Sequence, residues 1–599
     1  MSTTVTDQAT VVEQATTEWL DEFGRAMAAG DADRVGDLFL EDSWWRDLLA
    51  FTWDLTTYHD SRTIAHELVS RRGDVAPTGF AVEDGRAPAL DADGGFIGAL
   101  FTFETAVARC RGFLRLMRDG DGDDAPWRAW TLLTAMEQLK EHEEERGPAR
   151  PKGVAHGMQR DRESWLDRRE REREFTADDP DVVVVGAGQG GLTIAARLTM
   201  LGVPTVVVER NQRIGDNWRQ RYHTLVLHDP VWYDHMPYLP FPDHWPVFTP
   251  KDKLAAWFEA YASALELNVW TGTDVLGGEF SDDTGRWTVQ VRRADGSQQT
   301  LHPRHVVLAT GMSGVPHVPD IPGREDFQGE IAHSAWHSGA QPWAGKRAVV
   351  VGTGNSGHDI AHEFHEYGAE TTIVQRSSTY IMSSRHGIDV LFAGLYEEGG
   401  PPTEDADLIF AALPYPLLAE IHAGATEEIA RRDADLLERL ERAGFALDFG
   451  DDGSGLFMKY LRRGGGYYID VGASDLIADG RIAVKQGAEI SRFTPEGLEF
   501  DDGSALAADI VVLATGFENM RESARALFGD DVADSVTPVW GIGGDGELRT
   551  MWRRSGHPGL WFMGGNLHQA RHYSKMLALQ IKAVEEGLIE RSWEPASTV

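Results

Sequence analysis

Val182-Val183-Val184-Val185-Gly186-Ala187-Gly188-Gln189-Gly190-Gly191 opens a unit that runs through the apolar stretch Leu192 to Leu201 into Thr205-Val206-Val207-Val208-Glu209. A four-valine run, G-x-G-x-x-G, a helix-length apolar segment and a second β-branched run spell strand, turn, helix, strand. The pattern returns at Ala348-Val349-Val350-Val351-Gly352-Thr353-Gly354-Asn355-Ser356-Gly357, followed by Ile360 to Phe364 and Thr371-Thr372-Ile373-Val374-Gln375-Arg376. In each unit the first glycine takes the tight turn, the second lets the backbone approach a pyrophosphate, and the third lets the helix pack close on its strand. The N–H groups at the start of that helix then point at phosphate. One such unit binds one dinucleotide. Two units in one chain imply two, and the usual pair is a flavin and a nicotinamide.

The end of the second strand in each unit separates the two ligands. Glu209, followed by Arg210, is an acid where a ribose hydroxyl needs an acceptor, which suits the adenosine of FAD or NAD, with FAD the preferred assignment. Arg376, Ser377 and Ser378 are a cation and hydroxyl donors at the matching place, which suits the 2′-phosphate of NADPH. The expected FAD contacts are therefore Gly186, Gly188, Gln189, Gly190, Gly191, Glu209 and Arg210. Those for NADPH are Gly352, Gly354, Asn355, Ser356, Gly357, Arg376 and Ser377.

At 599 residues the chain exceeds a single core, and about three domains are expected. The formal net charge of −38 argues against nucleic-acid and anionic-membrane partners. Cys110 is the single cysteine, so there is no disulfide framework, no CxxC pair and no cysteine-rich metal site, and no metal is expected. Flavoprotein disulfide reductases, which need two cysteines beside the flavin, are excluded on the same ground. Met1 to Thr17 has neither the cationic start nor the apolar core of a secretory signal. The most apolar region, Val182 to Val208, is broken by glycines and Arg197, so no membrane span and a cytoplasmic location are expected.

The expected fold is α/β: two Rossmann-like dinucleotide-binding domains, the NADPH domain inserted in the FAD domain, preceded by a small α+β domain. The first twelve residues are polar and are expected to be disordered. Residues 13–148 should form the α+β domain, with Trp19, Leu20, Phe23 and Met27 at helical spacing and a short helix from Asp31 towards Leu38 and Phe39. Strands are expected over Gly95 to Glu104, Ala108 to Arg118 and Trp127 to Leu139. Residues 149–178 read as a charged linker of mixed sign. The FAD domain is expected over 179–335 and 500–592, with the NADPH domain over 336–499 and a helical insertion at 381–466 that serves either as a substrate wall or as a peripheral excursion. Val306-Val307-Leu308-Ala309-Thr310-Gly311 is echoed by Val512-Leu513-Ala514-Thr515-Gly516, and each Ala-Thr-Gly is expected near a crossing between the domains.

The segment from Trp19 through Phe39 and on to Asp47 resembles the NTF2-like (SnoaL-like) cone, whose curved sheet wraps helices around a pocket. That likeness makes Asp42, Arg46 and Asp47 candidate pocket or structural residues. Residues from about 180 to 590 resemble the class B flavin-dependent monooxygenases. Beside both glycine motifs stand Gly215-Asp216-Asn217-Trp218, similar to that family's second flavin segment, and Phe327-Gln328-Gly329-Glu330-Ile331-Ala332-His333, similar to its F-x-G-x-x-x-H fingerprint. The family's closing aromatic falls at His337, with Trp336 one place early, and Baeyer–Villiger members carry tryptophan there. His228, in Tyr222 to Pro230, stands where amine-oxidising members carry asparagine, which is more similar to the YUCCA-like branch.

The resemblance implies FAD and NADPH as cofactors and a monooxygenase that inserts one atom of O2 into a small-molecule substrate through a C4a-(hydro)peroxyflavin. A Baeyer–Villiger reaction on ketones and an NADPH oxidase releasing hydrogen peroxide are the alternatives. It also implies His228, Asn355 and Asn566 as catalytic candidates. Asn217, Trp218, Val275, Thr310, Gly311, Thr515, Gly516, Asn566, Arg571 and Ser574 join the cofactor contacts, and a homodimer is a possible assembly.

Overall fold

The computed structural model describes residues 2–589 apart from 93, 123, 154, 155, 159 and 177. Its first part is one curved sheet in the order Leu55–His59, Phe39–Leu48, Trp127–Leu139, Ala108–Arg118, Ile97–Glu104, Thr78–Val82, with Ala89–Leu90 at its side. The helices Ser2–Ala29 and Ser61–Val75 pack on it, and Trp19, Leu20, Phe23 and Met27 all turn inward. Rings fill the space they enclose: Trp19 stacks on Phe23 at 5.0 Å, and Phe80 on Phe103 at 5.1 Å.

Two expectations about this part are corrected and one alternative is decided. The first helix starts at Ser2, so the polar opening residues are helical. Phe39 begins the strand Phe39–Leu48 and is not the end of a helix; the short helix stops at Gly36. Of the two readings of Asp42, Arg46 and Asp47, the structural one fits, and they do not line a common pocket. Asp42 pairs with His59 at the surface, Asp47 accepts from the N–H groups of Phe51 and Thr52, and Arg46 leaves the domain altogether.

Among its described residues the linker holds the helix Trp165–Glu174, started by a reciprocal cap between Ser164 and Asp167. Two parallel sheets follow. The first has the order Val269–Trp270, Thr205–Val208, Val182–Val185, His305–Leu308, Leu560–Phe562. The second has the order Glu330–His333, Ile510–Leu513, Arg347–Val351, Glu370–Gln375, Ala483–Gln486. The central strands read as continuous apolar runs because both faces of a parallel sheet are covered; on the second sheet Ile360 and Phe364 of the helix Asn355–Glu366 pack on one face and Phe493, Leu498 and Phe500 on the other. Each sheet carries a three-stranded antiparallel meander, Asp274 to Leu301 and Ile490 to Ala507.

The second sheet lies in sequence between the last two strands of the first, but the expected boundaries at 335/336 and 499/500 are wrong. Glu330–His333 and Ile510–Leu513 are hydrogen-bonded strands of the second sheet, so the crossings fall after Gly311 and after Ala514. The crossing segments touch: Pro316 bridges Phe517, and the Gly516 carbonyl accepts from the His317 N–H.

The insertion contributes Thr403–Ala411, Tyr415–Arg432, Ala434–Arg442 and Gly455–Arg463, framed by the parallel pair Tyr380–Ser383 and Tyr467–Asp470. Pro414 and Pro416 sit at a helix start, where a missing N–H costs nothing. Leu417 and Leu418 face inward, and Ile421 is 39% exposed. Among the described residues no single helix is long and apolar enough to cross a membrane.

Candidate functional site

The first glycine turn is built as its spacing requires. Gly186 has φ +106°, and a Cβ there would sit 2.6 Å from the Ala309 carbonyl; a Cβ on Gly191 would lie 1.8 Å from the Gly186 oxygen. Those two glycines serve the chain's own packing. Gly188 differs: it caps the helix Gln189–Met200, and a Cβ there would meet only the Asn217 amide nitrogen at 3.3 Å. Gln189 donates to the Gly565 carbonyl at 3.3 Å, and Gly190 lies against Met563, so this turn abuts the start of the C-terminal helix Leu567–Glu585.

Glu209 is buried at the end of its strand, and its carboxylate accepts from the N–H groups of Ala187 at 2.7 Å and Asn211 at 2.8 Å. Arg210 and Asn217 are exposed, and Val275 and Thr310 are half-buried, Thr310 donating to the Ser523 hydroxyl. The indole N–H of Trp218 is buried without a partner. A bare backbone at Gly188 beside an orphaned donor fits a phosphate-bearing ligand.

The second turn repeats the design. Gly352 has φ +115° with the Ala514 carbonyl 2.3 Å from a built Cβ, and a Cβ on Gly357 would lie 2.1 Å from the Gly352 oxygen. Gly354 again is the open one, its nearest neighbour being the Tyr467 oxygen at 3.8 Å. Arg376 and Ser377 are exposed at the end of the following strand. Arg221, from the domain of the first glycine turn, reaches this turn: Nη2 lies 3.5 Å from the Ser356 hydroxyl, and Nε is buried without a partner. Burial pulls its guanidinium below the ordinary arginine range. Two arginines and an open helix start fit an anionic nucleotide.

A short ladder joins the turns. Tyr467, whose carbonyl abuts Gly354, meets Tyr460 edge to face at 6.4 Å. The Tyr460 hydroxyl donates to Gln569 Oε1 at 2.7 Å and accepts the Asn566 N–H at 3.1 Å. Asn566 caps the C-terminal helix, and its amide group also donates to the Tyr233 hydroxyl at 3.4 Å. His228 and Asp229 lie on the loop leading into Tyr233. The His228 Nε2 is 3.3 Å from Asp359 on the second-turn helix, and Tyr222 donates to the same carboxylate at 2.6 Å. That carboxylate and the neighbouring charges hold His228 above the ordinary histidine range against the opposing effect of burial.

Several expected site residues have other work. Asn355 uses its amide oxygen to accept the Ile469 N–H at 3.0 Å, so it braces the second turn and is not a free catalytic amide. Arg571 is spent on a two-pronged pair with Asp407 at 2.8 and 2.6 Å and on the carbonyls of Tyr233 and His235. Ser574 is buried and donates back to the Arg571 carbonyl within its own helix. Thr515 donates to the His317 carbonyl, and Gly516 accepts from the backbone N–H of His317, so both shape the crossing. Gly311, at φ +81°, does the same for the other crossing.

Tyr222, Asp229, Tyr233, Asp359, Tyr460 and Tyr467 were not legible as site residues. The Tyr222–Asp359 pairing joins positions 137 apart with no shared motif, so nothing local marks it.

A family profile described as pyridine nucleotide-disulphide oxidoreductase matches residues 183–387. The chain is 32% identical over 341 residues to "Indole-3-pyruvate monooxygenase YUCCA1" of Oryza sativa subsp. japonica, covering 57% of this chain and 77% of that protein. The chain belongs to the class B flavin monooxygenases, YUCCA-like branch. As a member of that family it is a flavin-dependent monooxygenase. A "Probable indole-3-pyruvate monooxygenase YUCCA9" of Arabidopsis thaliana is 30% identical over 345 residues, covering 56% of this chain and 75% of that protein.

Among solved structures, a flavin-containing monooxygenase from Stenotrophomonas maltophilia is 23% identical with a TM-score of 0.46, covering 67% of this chain and 98% of that one. An open cyclohexanone monooxygenase is 19% identical with a TM-score of 0.49, covering 68% and 88%. The disulphide chemistry named in the profile has no counterpart in this monooxygenase, whose one cysteine, Cys110, is buried in the first domain.

Proposed function

We propose that this monooxygenase holds FAD at the first glycine turn and NADPH at the second, and inserts one oxygen atom from O2 into a small organic substrate. The observation that carries this is the ladder Gly354, Tyr467, Tyr460, Asn566: one run of contacts spans both turns, so two nucleotides held there share a cleft. When bound, the nicotinamide supplies hydride and the reduced flavin activates O2. The chain's own share is position and dryness. Arg221, Ser356 and Arg376 meet the charge of the NADPH phosphates, and Gly188 and Gly354 admit phosphate to bare backbone. Tyr460, Tyr467 and Tyr233 wall the cleft with rings. The Asp359 carboxylate fixes the His228 ring, so His228 acts from a set orientation.

The first domain is read as an NTF2-like cone turned to bracing. Its interior is occupied by Trp19, Phe23, Phe39, Phe80, Phe101 and Phe103, and its charged residues reach out to the flavin domain. The deciding experiment is anaerobic reduction of the yellow protein by NADPH, then admission of 18O2. One labelled atom in the product and the other in water supports the proposal. Stoichiometric hydrogen peroxide with every substrate tried overturns it.

A further inference from the structure

A cavity of about 590 Å³ opens where the N-terminal domain meets the rest of the chain, a size within the roughly 300–1,000 Å³ of small-molecule sites. The N-terminal domain gives it Arg86, Arg111 and Glu137, and the helix Gln189–Met200 gives it Arg197 and Met200. The segment from His235 to Tyr238 and the helix Thr403–Ala411 form two further sides. The C-terminal helix completes it with Arg571, His572, Lys575 and Met576. None of the lining residues belongs to either glycine turn.

Six cations line this cavity: Arg86, Arg111, Arg146, Arg197, Arg571 and Lys575. The acids are Glu137, Glu404, Asp405 and Asp407, and three of them are already bound. Asp405 holds Arg86 and Arg111, Asp407 holds Arg571, and Glu137 holds Lys575. Outside the lining, Glu83 pairs with Arg111, and Glu144 stands 3.5 Å from Arg146 and 3.6 Å from Arg197. Glu404 makes no direct pair among the described residues. Even so Lys575, and after it Arg197, Arg146 and Arg111, hold its carboxylate below the ordinary range against the opposing effect of burial. Four cations act on a carboxylate that none of them touches, so they converge on one space.

Donors outnumber acceptors in the bonding capacity left unused. Arg197 is 3% exposed; its Nη2 donates to the Arg571 carbonyl at 3.4 Å, and its Nε is buried without a partner. His235 accepts the Phe241 N–H at Nδ1, and burial, with Arg571, pulls the ring down to about 4. Its one proton therefore sits on Nε2, which donates. Lys575 spends one of its N–H groups on Glu137, and Arg86 spends only its Nε, on Asp405. The spare acceptors are Glu404 and the second oxygen of Glu137. His572, which burial keeps neutral, has a buried Nε2 without a partner and can serve either way. The remaining wall is apolar and adaptable: Met200, Met236, Met576, Leu408 and the Tyr238 ring.

We propose that this cavity binds a small amphipathic organic anion, a carboxylate or sulfonate on an aromatic body. Arg197, Lys575 and His235 supply donors to the anionic head, and the methionines and Tyr238 receive the body. Glu404 is its internal competitor, because it draws on the same cations. The ligand lies on the seam and touches both the N-terminal domain and the oxygenase body. Such binding is independent of which substrate is oxidised.

The test titrates the holoenzyme, with and without saturating NADP+, with two fluorescent probes that share one ring skeleton. One is the anion 8-anilinonaphthalene-1-sulfonate; the other is neutral N-phenyl-1-naphthylamine. The anion should bind at least about ten-fold more tightly than the neutral probe, with the same Kd whether or not NADP+ is present. Lys575→Met should weaken the anion at least about five-fold and leave the neutral probe unchanged. Glu404→Gln should strengthen the anion about five-fold, by removing the competing charge. Glu404 has no direct partner to lose, so this variant decides the matter even if Lys575→Met fails to fold. Equal affinity for the two probes overturns the proposal, as does an unchanged or weakened anion in Glu404→Gln. Displacement of the anion by NADP+ overturns it too, by placing the probe in the nucleotide cleft.

Discussion

Arg46 and Glu547, 501 positions apart, meet in two parallel hydrogen bonds of 2.7 Å, with both side chains at or below 1% exposure. The Thr57 hydroxyl donates to the same carboxylate, and Arg46 also donates to the Ala411 carbonyl. Burial alone would favour a neutral guanidinium, and Glu547, with Tyr573 and Tyr415, overrides it. Removing one partner strands the other's charge in the interior. Glu547→Gln is expected to cost about 3–5 kcal/mol, read as a fall in Tm by calorimetry. The double variant Arg46→Met/Glu547→Leu should recover most of that loss.

The glycines of the second turn divide by task. Gly357 has no room for a Cβ, so Gly357→Ala should lower stability by about 1–3 kcal/mol before any ligand is added. Gly354 has an ordinary φ of −82° and open space, so Gly354→Ala should melt as wild type does yet bind NADPH at least about ten-fold more weakly. Thermal melts and nucleotide titrations on the same two proteins check both halves. Equal effects from the two substitutions would contradict the division.

Arg376 is the exposed cation placed for a 2′-phosphate. Arg376→Gln should raise KM for NADPH roughly 10–100-fold, the worth of one charge-assisted contact, with kcat and the NADH rate little changed. Initial rates with both nucleotides decide it.

Buried histidines predict acid sensitivity. Burial pulls His358, His422 and His235 down to about 4, and His568 and His572 to about 3. They are neutral in the fold but take up a proton near 6.5 once unfolded. Their contribution is therefore fully present above about pH 6.5 and is lost as pH falls towards about 4 and below. Urea midpoints at pH 7.5, 6 and 5 should decline in that order. His422 packs edge to face on Phe457 at 5.0 Å, and its shift is due to burial alone. His422→Leu should flatten the decline between pH 7.5 and 5 by up to about 2 kcal/mol, the part of its shift that lies in that range.

What could be read from the chain alone was whatever obeys a local rule. The glycine turns are local, so Gly186 to Gly191 and Gly352 to Gly357 stand where their spacing puts them. Phe39–Leu48 escaped because Glu41, Asp42, Arg46 and Asp47 make it look like a polar loop. Two of its charges are buried by partners that no neighbouring residue announces: Arg46 by Glu547, Asp47 by Thr134 and the turn after it. Arg571 was assigned to the flavin for want of sight of Asp407, 164 positions earlier. Glu330–His333 was given to the wrong sheet because its partner strand, Ile510–Leu513, comes after the whole insertion.

On the helix Thr403–Ala411, Asp405 takes Arg86 and Arg111 of the first domain, while Asp407 takes Arg571 of the C-terminal helix. Residues two apart on a helix point to nearly opposite sides, so one short rod is pinned from both flanks. A chimaera that grafts a foreign front module onto this oxygenase body must therefore bring its own cation to Asp405, or leave that acid at the seam with nothing to neutralise it, while Asp407 keeps Arg571.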